Sequence, residues 1–171
     1  AWAAYARQLG TAADACAMAD PLLPPARVLE MLEGVSPPAA TASGAATSNA
    51  QPLTPTRLLR LAASASRKAA LSSRQEIYPR GMPALQALRQ SINALVGATL
   101  SPSALQARVR GRYPEATPLP GRPELDRLLD EAGAPLHWDP TAADGAGAYR
   151  SATLGSTATA GTTTQFSRQG T

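Results

Sequence analysis

Cysteine and histidine are nearly missing from this 171-residue chain, which has one of each, Cys16 and His137. A single cysteine excludes an intramolecular disulfide and a cysteine-rich zinc site. One His and one distant Cys make no metal-ligand set. Cys16, on an alanine-rich helical stretch, is expected to be a small buried apolar residue. In "PLHWDP" a functional reading makes Asp139 the orienter of His137 as a general base. No second His or nucleophile stands near, and adjacent strand positions face opposite ways, so packing is the expected role. The chain is therefore read as having no catalytic, cofactor-binding or metal residues. Only seven aromatics are present (Trp2, Tyr5, Tyr78, Tyr113, Trp138, Tyr149, Phe166), which limits the core to a modest size. No apolar run approaches the ~20 residues of a membrane span, so no membrane contact is expected. The opening "AWAAYARQLG" has neither an initiator Met nor a charged leader region. The expectation is an internal piece of a longer cytoplasmic protein.

Proline, glycine and alanine are abundant instead, with 16 prolines and 13 glycines, more than a compact helical domain needs. Residues 36–52, "SPPAATASGAATSNAQP", hold no large apolar residue and no charge. Such a segment cannot bury enough surface to offset its ordering entropy, and it reads as a disordered linker. Before it, residues 1–35 read as the helical end of an upstream domain, with one helix over 1–19 and a short one from Pro24-Pro25 to about Glu33. After it, residues 53–151 read as a basic helix plus a small module. Residues 152–171, rich in Ser, Thr and Gly, read as a flexible connector.

Capping signals divide the middle section. Thr54 followed by Pro55 opens a helix expected over 55–69, with Leu58, Leu61, Ala62, Ala65 and Ala69 on one face and Lys68 within the helical pattern. "EIYPRG" is a short extended piece. "MPALQALRQSINALVG" reads as an amphipathic helix turning Leu85, Leu88, Ile92, Leu95 and Val96 inward, with Gly97 as its stop. Ser101-Pro102 opens the next helix, which carries Leu105 and Val109. Pro114, Pro120 and Pro123 then clamp the approach to a third, from Arg122 to Ala132, with Gly133 as its stop. Tyr113, Leu119, Leu125 and Leu128 are expected to meet there. "PLHWDP" and "AYRS" read as two strands flanking "TAADGAG". The expected fold is mainly α, a small helical bundle with a winged-helix-like module at about 83–151.

"SSRQEIYPRGMPA" and "RYPEATPLPGRPELDRLL" are not generic repeats. On them, residues 53–140 resemble a region downstream of the kinase domain in the large serine/threonine kinases of bacterial phage-growth-limitation (BREX-type) phage-defence systems. The resemblance implies a multidomain parent with protein-kinase activity. ATP and Mg would belong to that parent's kinase domain, because no G-x-G-x-x-G, H-R-D or D-F-G stretch occurs here. It implies as partners the other domains of the same chain or other phage-defence proteins.

Charge sets the remaining choice. Fifteen of the sixteen basic residues are arginine, which fits a coding bias toward high-GC DNA. Residues 1–53 carry −2, residues 54–97 carry +6, and residues 98–133 and 134–171 balance. The third helix has two arginines and four acids with no Asn or Gln, a poor composition for reading base edges beside phosphates. Arg57, Arg60 and Arg67, with Lys68 beside them, could touch successive phosphates at turn spacing, joined by Arg108 and Arg112. The same residues could dock on an acidic domain or form a solvated face. A noncatalytic accessory or regulatory interaction module and a DNA-binding winged helix both remain open.

Overall fold

The computed structural model describes residues 1–38 and 53–152. Apart from residues 36–38 and 152, the expected linker and Ser/Thr-rich connector lie outside the described residues. Among the described residues, six helices and two antiparallel hairpins follow one another: α1 (Trp2–Ala17), α2 (Pro25–Glu33), α3 (Pro55–Ala65), β1 (Ala69–Leu71), β2 (Ile77–Pro79), α4 (Ala84–Leu95), α5 (Pro102–Arg112), α6 (Glu124–Ala132), β3 (Leu136–Asp139) and β4 (Ala148–Ser151). The fold is helix-rich but mixed. No helix among the described residues is long and apolar enough to cross a membrane.

Local signals account for several helix ends. Thr54 accepts a hydrogen bond from the Arg57 N–H at 3.4 Å and Ser101 from that of Ala104 at 3.1 Å, each satisfying an otherwise orphaned donor. α6 stops at Gly133 in the left-handed region, where a Cβ would be strained. Three expectations need correction. α3 ends at Ala65 rather than running to 69, and it buries Leu58, Leu59, Ala62 and Ala63. Val96 is 43% exposed, because it caps α4 in extended geometry and leaves the inward face. α6 starts at Glu124 rather than Arg122.

The early end of α3 has a physical cause. Gly10 of α1 lies so close that an added Cβ would stand 2.4 Å from the Ala65 carbonyl oxygen. Asp14, one turn on, accepts hydrogen bonds from the Ser66 hydroxyl and from the Lys68 N–H at 2.9 Å. Ser66 Oγ in turn accepts from Ala69 N–H at 2.6 Å. The chain is thus turned out of the helix and into β1.

Two cores result. Tyr5, Leu9, Ala13, Cys16, Val28, Leu32, Leu58, Leu59 and Ala62 form the first, so α1 and α2 share a core with α3. Leu88, Leu95, Leu105, Val109, Tyr113, Leu125 and Leu129 form the second, with Leu136 and Tyr149 from the second hairpin. Tyr113, Leu119 and Leu125 do meet there, with Leu128 against them. The β1–β2 hairpin is the wall between the two. Strand alternation sends Ala69 and Ile77 to the first core and Ala70 and Tyr78 to the second.

Candidate functional site

The two stretches singled out in the sequence, 72–84 and 112–129, interlock. Ser73 N–H donates to the Arg112 carbonyl (3.1 Å), Gly81 N–H to that of Glu115 (2.8 Å), and Thr117 N–H to that of Met82 (2.8 Å). The Tyr78 hydroxyl accepts from Glu115 N–H at 2.9 Å, and the Tyr78 and Tyr113 rings meet edge to face at 5.0 Å.

Glu76 is the polar centre of this joint. Arg112 grips it with Nη2 at 2.8 Å from Oε1 and Nε at 3.2 Å from Oε2. The Tyr113 hydroxyl donates to Glu76 at 3.2 Å and the Ser72 hydroxyl at 3.0 Å. Arg112 also donates to the Gln90 carbonyl of α4. The pair is well shielded, with side chains 11% and 18% exposed. Burial pushes the Glu76 carboxyl up, but the Arg112 hydrogen bonds and charge outweigh it and leave the carboxyl below its ordinary range. Burial, with Glu76 beside it, pushes the Tyr113 hydroxyl far up.

A second joint ties α6 to the β3–β4 hairpin. Asp126 accepts from Arg122 Nε at 3.0 Å and from the Tyr149 hydroxyl. The Arg122 guanidinium stacks 3.8 Å from the Trp138 ring centroid, and Trp138 meets Tyr149 edge to face. Arg122 hydrogen bonding holds the Asp126 carboxyl low against the opposing effect of burial. At the hairpin's end Thr141 and Arg150 hold Asp139 down to about 2.

The basic residues proposed as contacts do not form one row. Arg57 and Arg60 are exposed on α3. Arg67 and Lys68 are exposed but lie past its end, so the three arginines do not share a helical face. Arg112 is sequestered by Glu76 and is not a free contact. Arg108 is exposed, and one of its nitrogens donates to the Ala94 carbonyl at 3.1 Å. His137 is exposed on β3, paired across from Arg150, and is not a packing residue. Its alternate-side neighbours Leu136 and Trp138 do the packing. Cys16 is buried as expected, at 1% exposure.

Sequence reasoning missed Glu76 and Ser91. Glu76 carried a usable signal, being the only acid in the +6 segment 54–97. Ser91 carried none, since a serine within an amphipathic helix reads as solvent-facing. Beside the Glu76–Arg112 pair opens a cleft of about 210 Å³, lined by Ser73, Arg74, Ser91, Arg108, Gly111 and Arg112. Among the described residues no three His, Cys, Asp or Glu side chains gather as a metal-ligand group. In comparisons with known proteins, no family model, curated protein or solved structure matches this chain.

Proposed function

We propose that the chain is a noncatalytic interaction module whose half built from α4–α6 and β3–β4 is a winged helix used for protein docking. The element order supports that reading: three helices, then an antiparallel wing, with the α4–α5 connection bridging to the wing through Leu100 and Tyr149. The observation that carries docking over DNA reading is the outer face of α6. That helix would enter the groove, yet its exposed residues are Glu124, Arg127, Asp130 and Glu131. Phosphate would repel three of the four. A basic surface, on another domain of the same chain or on a separate protein, is the complement this face fits.

The parent, on the resemblance of 72–84 and 112–129 alone, is a large phage-defence serine/threonine kinase of the BREX type, with ATP and Mg in its own kinase domain. The isolated chain is then expected to show no ATP-dependent phosphorylation.

A second reading, DNA binding through phosphates, has one observation in its favour. Arg57 and Arg60 are exposed and make no ion pair among the described residues. Titrating the chain with random duplex DNA across a salt series separates the two. Docking predicts no binding at low salt. A steep salt slope, lost in Arg57→Ala and Arg60→Ala, would overturn docking in favour of phosphate contact.

A further inference from the structure

We infer that the acidic face of α6 docks on the basic face of α3 in a second copy of this chain. This rests on the docking reading of α6 and names its partner. Charge supplies the first argument. On α3, Arg57, Arg60 and Ser64 are exposed at positions i, i+3 and i+7, which share one face of a helix. Arg67, Lys68 and Arg74 follow, all exposed, and no acid occurs between residues 54 and 75. On α6, Glu124, Arg127 and Glu131 are exposed at the same three offsets, with Asp130 beside them. None of these side chains makes an ion pair among the described residues. α3 belongs to the first core and α6 to the second, so each copy carries both halves of a complementary pair without joining them.

Spacing supplies the second argument. A helix rises about 1.5 Å per residue, so Ser64 lies about 6 Å along α3 from Arg60, and Arg127 about 6 Å along α6 from Glu131. With the helices antiparallel and Ser64 set against Arg127, Arg60 comes level with Glu131 and beside Asp130. Arg57 then reaches the C-terminal end of α6, where the helix dipole is negative. The α6 arginine meets a serine, and no like charges face each other. A shift of one turn would set Arg60 against Arg127, so the charges select one register.

An apolar strip supplies the third. Leu61 and Leu128 stand four residues after Arg57 and Glu124, and both are half-buried. In the antiparallel register they fall on the same side of the contact, within about 3 Å of one level. They give the ion pairs an apolar flank that excludes water. Exposed ion pairs are individually weak, and the net charge of +4 opposes any approach that does not align these faces. The dissociation constant is therefore expected on the order of 0.1–1 mM at low salt.

The test is sedimentation equilibrium of the full 171-residue chain at concentrations up to about 1 mM. At about 10 mM salt the mean mass should rise above one chain. At about 150 mM salt association should weaken about tenfold, because the screening length falls from about 30 Å to about 8 Å. Arg57→Glu with Arg60→Glu, and Asp130→Lys with Glu131→Lys, should each return the chain to monomer. Mixed in equal amounts, the two variants should associate, because one keeps the basic α3 face and the other the acidic α6 face. Arg57→Gln with Arg60→Gln, a milder change, should weaken association about tenfold with native circular dichroism. A chain that stays monomeric to about 1 mM at low salt overturns the inference. So does association indifferent to these substitutions, or a mixture that stays monomeric. Random duplex DNA separates this failure from that of the docking reading. A monomer that binds no duplex loses only the second copy as partner, and one that binds duplex through Arg57 and Arg60 loses the docking reading as well.

Discussion

The two cores solve one shortage in different ways. Large apolar residues are scarce, and the first core compensates by close approach. Its helices meet through Gly10, Ala13, Ala62 and Ala63, which lets backbones come together and substitutes contact for side-chain bulk. The second core is built on Tyr78, Tyr113 and Tyr149, all fully buried. Tyrosine brings a large apolar ring and a hydroxyl that must find a partner. Here the partners are Glu115 N–H, Glu76 and Asp126. The first core thus depends on what is absent from its side chains, and the second on a polar network that must be complete. A complete network is high-stakes, since removal of one member strands the others.

The largest expected effect follows from that contrast. Arg112→Ala leaves the Glu76 carboxylate shielded and unpaired, and should destabilise by about 3–5 kcal/mol, the usual cost of breaking a buried ion pair. Lysine should rescue little, because it cannot reproduce the forked grip. The pH dependence sharpens the test. The folded Glu76 carboxyl lies below its ordinary value of 4.5. Its contribution is therefore complete above that value and is lost as pH falls through the folded pKa. Without Arg112, burial is opposed only by the Ser72 and Tyr113 hydrogen bonds, so the carboxyl rises relative to the parent's and the variant should lose less stability as pH falls through the same range. Urea unfolding at a series of pH values reads this directly. An acid profile parallel to the parent's would mean that Glu76 is not held by Arg112.

The first core should break by the opposite change, an addition. Gly10→Ala gains helix propensity of about 1 kcal/mol, yet its Cβ would meet the Ala65 backbone at 2.4–2.6 Å. Backbone cannot yield as a side-chain tip can, so a net loss of about 3 kcal/mol is expected. The two tryptophans report the cores separately, Trp2 beside Tyr5 and Trp138 beside Tyr149. Single-tryptophan variants should lose both signals at one denaturant concentration, because the β1–β2 hairpin belongs to both cores. A Trp2 transition that precedes the Trp138 transition would show that the shared wall does not couple them.

Sequence made the second core far more legible than the first. Cap pairs such as Ser101-Pro102 and stops such as Gly133 are local signals, and the helix ends they mark fall where expected. "PLHWDP" and "AYRS" flank a turn-rich loop, a local hairpin signal, and they pair. By contrast, the end of α3 is decided at long range, by Gly10 and Asp14 on a helix some fifty residues earlier. A run of alanines and serines reads as continuing helix, because helix propensity is a weak prior that a tertiary contact overrides. Charge was legible as a total but not as a pattern. Arg112 and Arg57 look alike in sequence, and only the fold pairs one with the lone acid of residues 54–97.

A smaller effect tests the wing. Tyr149→Phe removes the hydroxyl that donates to Asp126 while keeping the ring against Trp138. Arg122 still pairs with Asp126, so the carboxylate is not stranded and the loss should be about 1.5 kcal/mol. That is well under the Arg112→Ala effect, although both tyrosine–carboxylate bonds look alike. Thermal unfolding of the two variants side by side gives the ratio. Equal losses would mean that the hydroxyl, rather than the guanidinium, organises each joint.

The smallest change should stabilise, and it acts on the wall between the cores. Gln75 sits in the β1–β2 turn at φ 65°, in the left-handed region, where a Cβ costs about 1–2 kcal/mol. Its N–H closes the turn on the Ser72 carbonyl at 3.1 Å, and that bond survives in any non-proline variant. Its side-chain oxygen is buried without a partner, so the side chain contributes a second penalty. Glycine removes both and gives back part of the gain as unfolded-state entropy. Gln75→Gly should therefore raise stability by about 1 kcal/mol, a Tm increase of about 2–4 °C for a chain of this size. Because the turn fixes the register that presents Ala69 and Ile77 to one core and Ala70 and Tyr78 to the other, the Trp2 and Trp138 transitions should rise together. A rise confined to Trp138 would tie the turn to the Glu76 joint alone, and a fall in Tm would show that the glutamine stem packs more than its geometry costs.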